Sequence, residues 1–179
     1  GDVYKRQYGM YACNGILFNH ESPRRGKTFI TRKVTRTLVN ISLGIEQCLY
    51  VGNLDSKRDW GHAKDFVRMQ WLMLQQKEPD DFIIATGKQY SVRELIKTAC
   101  NIIGIEIKFS GSGNKEIATV LRPPKNNKFI EKGDIIVKVD KKYLRPTETD
   151  SLQGDFKKAK DILGWKPEIP FKELIKEMI

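Results

Sequence analysis

The sequence predicts an α/β fold built on a parallel sheet that this chain does not complete by itself. Three observations carry that expectation. Short apolar runs alternate with amphipathic helical stretches along all 179 residues. Each apolar run ends in polar or glycine-containing punctuation, as buried parallel strands do. Only about three of these runs look parallel and buried, fewer than a complete doubly wound sheet holds.

Residues 1–7, Gly-Asp-Val-Tyr-Lys-Arg-Gln, connect poorly to the rest of the chain and read as a translation scar outside the fold. Residues 12–18 are apolar towards their end and read as a buried strand, which gives way to a polar loop from Asn19 to Gly26. Ligands of open α/β sheets bind beyond the carboxyl ends of strands, so this loop lies where a ligand would sit. A helix is expected over 28–43, because Ile30, Val34, Leu38, Ile41 and Ile45 form one stripe with Gly44 as its C-cap. Arg32, Lys33 and Arg36 lie off that stripe.

Cys48 to Val51 reads as a short strand. The helix over 61–76 is apolar nearly all round and is expected to be buried between layers, with Asp59 and His62 satisfying its entry and Trp60 in the core. Residues 82–85 form another short strand. Ser91-Val92-Arg93-Glu94 has the form of a capping box, opening a helix with Leu95, Ile96 and Ala99 inward. Strands are expected near 105–109, 117–121 and 135–139, in a region (110–134) that is otherwise hard to read. Asp155 opens a short helix with Phe156, Ala159 and Ile162 inward. Pro170 starts the last one, with Phe171, Leu174, Ile175 and Met178 on one face.

Composition narrows the function classes. A hydrophobic fraction of 40% supports a packed core. No run approaches the roughly 20 apolar residues of a membrane span, and no signal peptide is visible. Cys13, Cys48 and Cys100 are odd in number and lack C-x-x-C spacing, which argues against a disulfide framework or a zinc site. His20 and His62 are not spaced as a metal pair. The net charge of +10 and pI near 9.5 suit polyanionic ligands: nucleotides carrying several phosphates, nucleic acid, or acidic lipid. Lys125, Lys128, Lys132, Lys138, Lys141 and Lys142 read as an exposed face.

Three places concentrate groups suited to phosphate. The run Asn19-His20-Glu21-Ser22-Pro23-Arg24-Arg25 ends in two guanidinium groups, which can each make two parallel bonds to an oxyanion. Arg58 stands between a strand and a helix. Arg145-Pro146-Thr147-Glu148 pairs a cation with a carboxylate that ribose hydroxyls could reach. Each can equally be a solvated loop or an exposed ion pair. The sequence holds no G-x-G-x-x-G, no Tyr-x-x-x-Lys pair and no Ser/His/Asp or Cys/His arrangement, so no catalytic residue is assigned.

These segments resemble the GDP-mannose 4,6-dehydratases. The likeness rests on Tyr8-Gly9-Met10, Asn14 to Gly26, Thr31-Arg32-Lys33, Tyr50-Val51-Gly52-Asn53, Arg58 to Asp65, Ala85-Thr86-Gly87 and Tyr90-Ser91-Val92-Arg93. Leu163-Gly164-Trp165-Lys166-Pro167 is similar to the extended short-chain dehydrogenases/reductases more broadly.

The resemblance implies the C-terminal part of such an enzyme. Residues 8–27 would be the last part of a Rossmann domain, and 28–179 a substrate-binding region with some elements packing back on it. It implies a lyase that dehydrates GDP-mannose to GDP-4-keto-6-deoxymannose with bound NADP, in the cytoplasm, in deoxysugar biosynthesis. Carried over by position, His20 and Arg25 would contact NADP. Asn19, Arg32, Lys33, Gly52, Arg58, Arg145 and Glu148 would contact GDP-mannose. The family's catalytic groups would precede residue 8, so the chain alone is expected to be inactive. A homo-oligomer is expected of the whole enzyme, without nucleic-acid or membrane partners and without a metal. Two alternatives stay open: another nucleotide-sugar epimerase, reductase or dehydratase, and a basic nucleic-acid-binding module.

Overall fold

A computed structural model describes residues 2–144 and 149–179. Its helices are α1 (Asp2–Tyr8), α2 (Ile30–Ser42), α3 (Ala63–Leu74), α4 (Val92–Ile103), α5 (Lys157–Leu163) and α6 (Phe171–Met178). Its strands of three residues or more are β1 (Gly15–Leu17), β2 (Asn19–Glu21), β3 (Leu49–Val51), β4 (Trp60–His62), β5 (Phe82–Ile84), β6 (Glu106–Ser110), β7 (Ile117–Arg122) and β8 (Ile135–Val139). The chain is α/β, as expected, and divides into two compact units.

The first unit contains the chain up to Ser22, Arg58–Gln89 and Leu152–Leu174. Its sheets are parallel pairs: β1 runs beside β5, and β2 beside β4. Its core gathers Phe66, Met69 and Met73 of α3, Phe82 and Ile84 of β5, Ala159 of α5, and Trp165. Trp165 is fully buried, and its indole N–H donates to the Asp65 carbonyl at 3.1 Å. The Asp65 carboxylate accepts the backbone N–H groups of Glu168 and Ile169, each at 3.0 Å. One buried acidic residue thus ties the Leu163–Pro167 segment and its continuation to α3.

Several expectations change here. The run 12–18 is not a buried strand: β1 is exposed, with Ile16 at 58%. Among the described residues β1 has a partner on one edge only, and Leu17 beside Ile16 is 36% exposed. The polar loop starts later than expected, because Asn19, His20 and Glu21 form β2. The helix after β4 is not buried all round, since Val67, Trp71 and Leu74 are exposed. Ile162, expected inward, is 53% exposed because α5 turns only its Ala159 face to the core. The entry of α3 is capped by His62, whose Nδ1 accepts the Lys64 N–H at 3.0 Å, and not by Asp59. Trp60 is in the core, as expected, stacked 5.9 Å from Phe171. Residues set aside as a scar form α1, where Lys5 pairs with Asp81 at 2.8 Å.

The second unit contains Pro23–Lys57, Tyr90–Ser151 and Ile175–Ile179. It holds a four-stranded mixed sheet in the order β3-β8-β7-β6, with β3 parallel to β8 and the other pairs antiparallel. The α2 stripe (Val34, Leu38, Ile41) and the α4 stripe (Leu95, Ile96, Ala99, Cys100) are buried where these two helices pack together. The capping box forms as expected: the Ser91 hydroxyl accepts the Glu94 N–H at 3.1 Å, and Glu94 accepts the Ser91 N–H at 2.7 Å. Gly104 ends α4 at φ +89°, a left-handed conformation that suits glycine. The C-cap of α2 is Leu43, and Gly44 comes one residue later at φ +73°. The six clustered lysines are all exposed.

Candidate functional site

In the first unit β2 runs along β4. Asn19 stands opposite Trp60, His20 opposite Gly61, and Glu21 opposite His62. Asn19 and His20 are half-buried and Glu21 is buried. The His20 Nδ1–H donates to the Phe18 carbonyl at 3.0 Å, which leaves Nε2 as the other polar atom of the ring. The ring lies 5.3 Å from that of Phe66. Glycine at 61 is required by packing, since a β-carbon there would overlap the Phe66 ring and crowd Thr86.

Arg58 precedes β4 and is half-buried; its neighbour Asp59 is completely buried. Both oxygens of Asp59 are occupied. Oδ1 accepts the Thr86 N–H at 2.9 Å and the Thr86 hydroxyl at 2.6 Å. Oδ2 accepts the N–H of Gly87 at 2.9 Å and of Gly154 at 3.3 Å. The Asp59 N–H itself donates to the Leu152 carbonyl at 3.1 Å. A β-carbon on Gly154 would overlap Ala85 and crowd the Phe18 ring, so the 152–154 segment is seated closely in this knot. Arg58 therefore projects from a backbone fixed at the next residue. Asp59, expected at the helix entry, has this role instead, and the sequence carries no spacing signal for it.

In the second unit, the Arg25 guanidinium stacks 3.7 Å over the Phe29 ring at the start of α2. Arg32 and Lys33 are neighbours on α2 with different commitments. Arg32 donates to the Met178 carbonyl at 2.8 Å, at the end of α6, where a cation satisfies a terminal helix carbonyl. Lys33 places its ammonium 3.4 Å from the centre of the Tyr143 ring. Gly52 comes directly after β3, and a β-carbon on it would overlap the Tyr143 carbonyl oxygen. Lys33 and Gly52 are thus brought together through Tyr143, a residue no sequence pattern marked. Arg145 and Glu148 lie outside the described residues.

Other charged groups serve the frame. The Arg93 guanidinium joins Glu116 and Asp55, which raise its pKa further. Asp81 is held well below the ordinary carboxylate range by hydrogen bonds from Lys5 and Asn14. Among the described residues no group of three His, Cys, Asp or Glu side chains could hold a metal, and no helix is long and apolar enough to cross a membrane.

The architecture belongs to a known class. It matches the structure of RMD from Pseudomonas aeruginosa complexed with NADPH, with a TM-score of 0.74 and 19% identity over 98% of this chain and 49% of that one. It also matches a UDP-glucuronic acid 4-epimerase from Bacillus cereus, solved with UDP-glucuronic acid and NAD, with a TM-score of 0.72 and 15% identity over 99% of this chain and 46% of that one. Those likenesses define the fold. The sequence is more specific: residues 2–178 match the family described as GDP-mannose 4,6 dehydratase, and the chain belongs to that family. A GDP-mannose 4,6-dehydratase of Yersinia enterocolitica is 60% identical over 98% of this chain and 48% of its own length. The Homo sapiens GDP-mannose 4,6 dehydratase is 50% identical over 98% of this chain and 45% of its own. The chain spans about half the length of the curated relatives it matches.

Proposed function

We propose that this chain is the nucleotide-sugar-binding part of a GDP-mannose 4,6-dehydratase, a lyase that forms GDP-4-keto-6-deoxymannose. The observation that carries the reading is the 60% identity to a dehydratase of that name across 98% of the chain. The chemistry of the site supports it. Arg58, Lys33 and the Arg145–Glu148 segment are the groups assigned to GDP-mannose, together with Asn19, Arg32 and Gly52. A diphosphate suits guanidinium and ammonium donors, and a glutamate suits ribose hydroxyls. Within that set Arg32 acts through the α6 terminus it already holds.

NADP is the cofactor of this reading, with His20 and Arg25 as its contacts in this chain. The residues are chemically suited: His20 gives Nδ1–H to the Phe18 carbonyl and keeps Nε2 for a ligand, and the Arg25 guanidinium, stacked on Phe29, suits a phosphate. NADP supplies hydride transfer; the protein supplies binding and orientation. The sequence contributes no glycine-rich phosphate loop and no Tyr-x-x-x-Lys pair. The 179-residue chain alone is therefore expected to bind nucleotide without turning it over. In this reading the whole enzyme works in the cytoplasm as a homo-oligomer.

Calorimetric titration tests the reading. GDP and GDP-mannose should bind the chain more tightly than UDP- and dTDP-sugars. Preference for a uridine or thymidine nucleotide would transfer the chain to a different nucleotide-sugar enzyme. Turnover of GDP-mannose by the chain with added NADP would refute the assignment of its catalytic groups elsewhere.

A further inference from the structure

Lys33 and Gly52 meet at Tyr143, and the turn carrying Tyr143 is fixed from three sides. Its backbone is joined to β3, because the Asp140 N–H donates to the Val51 carbonyl at 2.9 Å. Its conformation is closed internally: the Tyr143 N–H donates to the Asp140 carbonyl at 3.0 Å, and the Asp140 carboxylate accepts the Lys142 N–H at 2.9 Å. Its approach to the strand end depends on Gly52, whose missing side chain makes room for the Tyr143 carbonyl. The ring then lies under the Lys33 ammonium at 3.4 Å.

A lysine stem has many rotamers, so an ammonium that must meet an anion gains from being held beforehand. An aromatic face holds it without consuming its N–H donors, which a carboxylate partner would. Among the described residues Lys33 has no carboxylate partner, whereas its neighbour Arg32 is committed to the Met178 carbonyl. Lys33 is thus the cation of the pair whose ammonium N–H donors all remain for a ligand.

We propose that Tyr143 is a positioning residue that aims Lys33 at the anionic part of the nucleotide. On this view Gly52 serves the site by letting the 141–143 turn dock on β3, not by touching the substrate. The proposal rests on the nucleotide-sugar reading and deepens it at one subsite.

The test uses the 179-residue chain, GDP as the probe, and two readouts. One is GDP affinity by calorimetry; the other is the ring-current shift of the Lys33 side-chain ε protons by NMR. Tyr143→Leu should weaken GDP binding about two- to fivefold, the range of an exposed cation–π contact. Tyr143→Phe should restore wild-type affinity, because the ring and not the hydroxyl acts. In a Lys33→Met background Tyr143→Leu should add nothing. Gly52→Ala should weaken GDP like Tyr143→Leu and abolish the upfield ε-proton shift.

The proposal is overturned by wild-type affinity in a folded Tyr143→Leu chain, by additive losses in the Lys33→Met background, or by weakened binding in Tyr143→Phe. It is also overturned if Gly52→Ala loses GDP affinity while the upfield shift persists, which would make Gly52 a direct contact. Should Tyr143→Leu fail to fold, the wild-type spectrum decides, since the absence of any upfield-shifted lysine ε signal sinks the platform. If Lys33→Met weakens GDP but Tyr143→Leu does not, only this proposal fails. If the wild-type chain binds no GDP, the functional reading fails and takes this one with it.

Discussion

Replacing Asp59 by alanine removes an acceptor that four donors share. The residue is fully buried, and its two oxygens take the Thr86 N–H and hydroxyl, the Gly87 N–H and the Gly154 N–H. Water cannot replace the carboxylate without entering a site packed closely enough to exclude a β-carbon at Gly154. Each hydrogen bond to a charged group contributes about 1.5–3 kcal/mol, and each stranded buried donor costs about 1–3 kcal/mol. These terms overlap, and the Thr86 hydroxyl retains the Lys88 carbonyl as a second acceptor at 3.2 Å. The net loss for Asp59→Ala is therefore set at about 3–5 kcal/mol, the range for breaking a buried charged network. Asp59→Asn keeps the shape and one acceptor oxygen but turns an amide N–H₂ towards two of the donors, for about 2–3 kcal/mol.

Urea unfolding followed by tryptophan fluorescence measures both losses. With a slope of about 2–3 kcal/mol/M, Asp59→Ala should lower the midpoint by about 1–2.5 M, with Asp59→Asn between it and wild type. An asparagine variant unfolding at the wild-type midpoint would refute the reasoning, because the knot would then not depend on a two-oxygen acceptor.

Trp165→Ala should lose about 3–5 kcal/mol by cavity formation, whereas Trp165→Phe loses about 1–2 kcal/mol through the Asp65 carbonyl left without its indole donor; the same urea assay separates them. Glu94 is held below the ordinary carboxylate range by the Ser91 N–H and hydroxyl. A lowered folded pKa contributes stability present above the unfolded value and lost as pH falls through the folded one. The Tm advantage of wild type over Glu94→Gln should therefore be full at about pH 6 and close below about pH 4; a constant difference would count against the capping box. Burial pushes the Cys100 thiol up to about 12, so iodoacetamide at about pH 8 should label Cys13 and Cys48 in the folded chain and reach Cys100 only in urea. Early labelling of Cys100 in mass spectra would contradict its burial.

What the sequence made legible was local or periodic. The capping box needs only Ser91 and Glu94 three residues apart, and both hydrogen bonds form. Val34, Leu38 and Ile41 of α2 and the stripes of α4 and α6 are buried as their spacing requires, whereas Ile45, expected on the α2 stripe, follows the end of the helix and is 68% exposed. What failed required knowing a partner. Residues 12–18 have the composition of a covered strand, but β1 is paired on one edge and its side chains are exposed. The α3 residues Val67, Trp71 and Leu74 lie at steps of four and three, the spacing of a second buried face, yet each is about 60% exposed. Periodicity reports which faces of an element suit burial. It does not report which of them this chain covers.

The same distinction governs the candidate site. A net charge of +10 and the pair Arg32-Lys33 mark an anion-suited surface, and residue type alone makes the two cations alike. The fold separates them. Arg32 reaches 2.8 Å to a carbonyl at the end of α6, remote in sequence, while Lys33 stands over a ring carried by a turn beyond β8. Neither partner could be read from spacing, because the two residues stand 146 positions apart in one case and four strands of a mixed sheet must form in the other. Arg32 and Lys33 consequently predict opposite signatures on substitution. Arg32→Met should lower the urea midpoint, with GDP affinity following stability. Lys33→Met should leave the midpoint near wild type, within about 0.5 kcal/mol for a surface change, and weaken GDP directly. Equal losses of stability in the two variants would show that both cations act as structural anchors, and the anion-binding role would then have to move to Arg58.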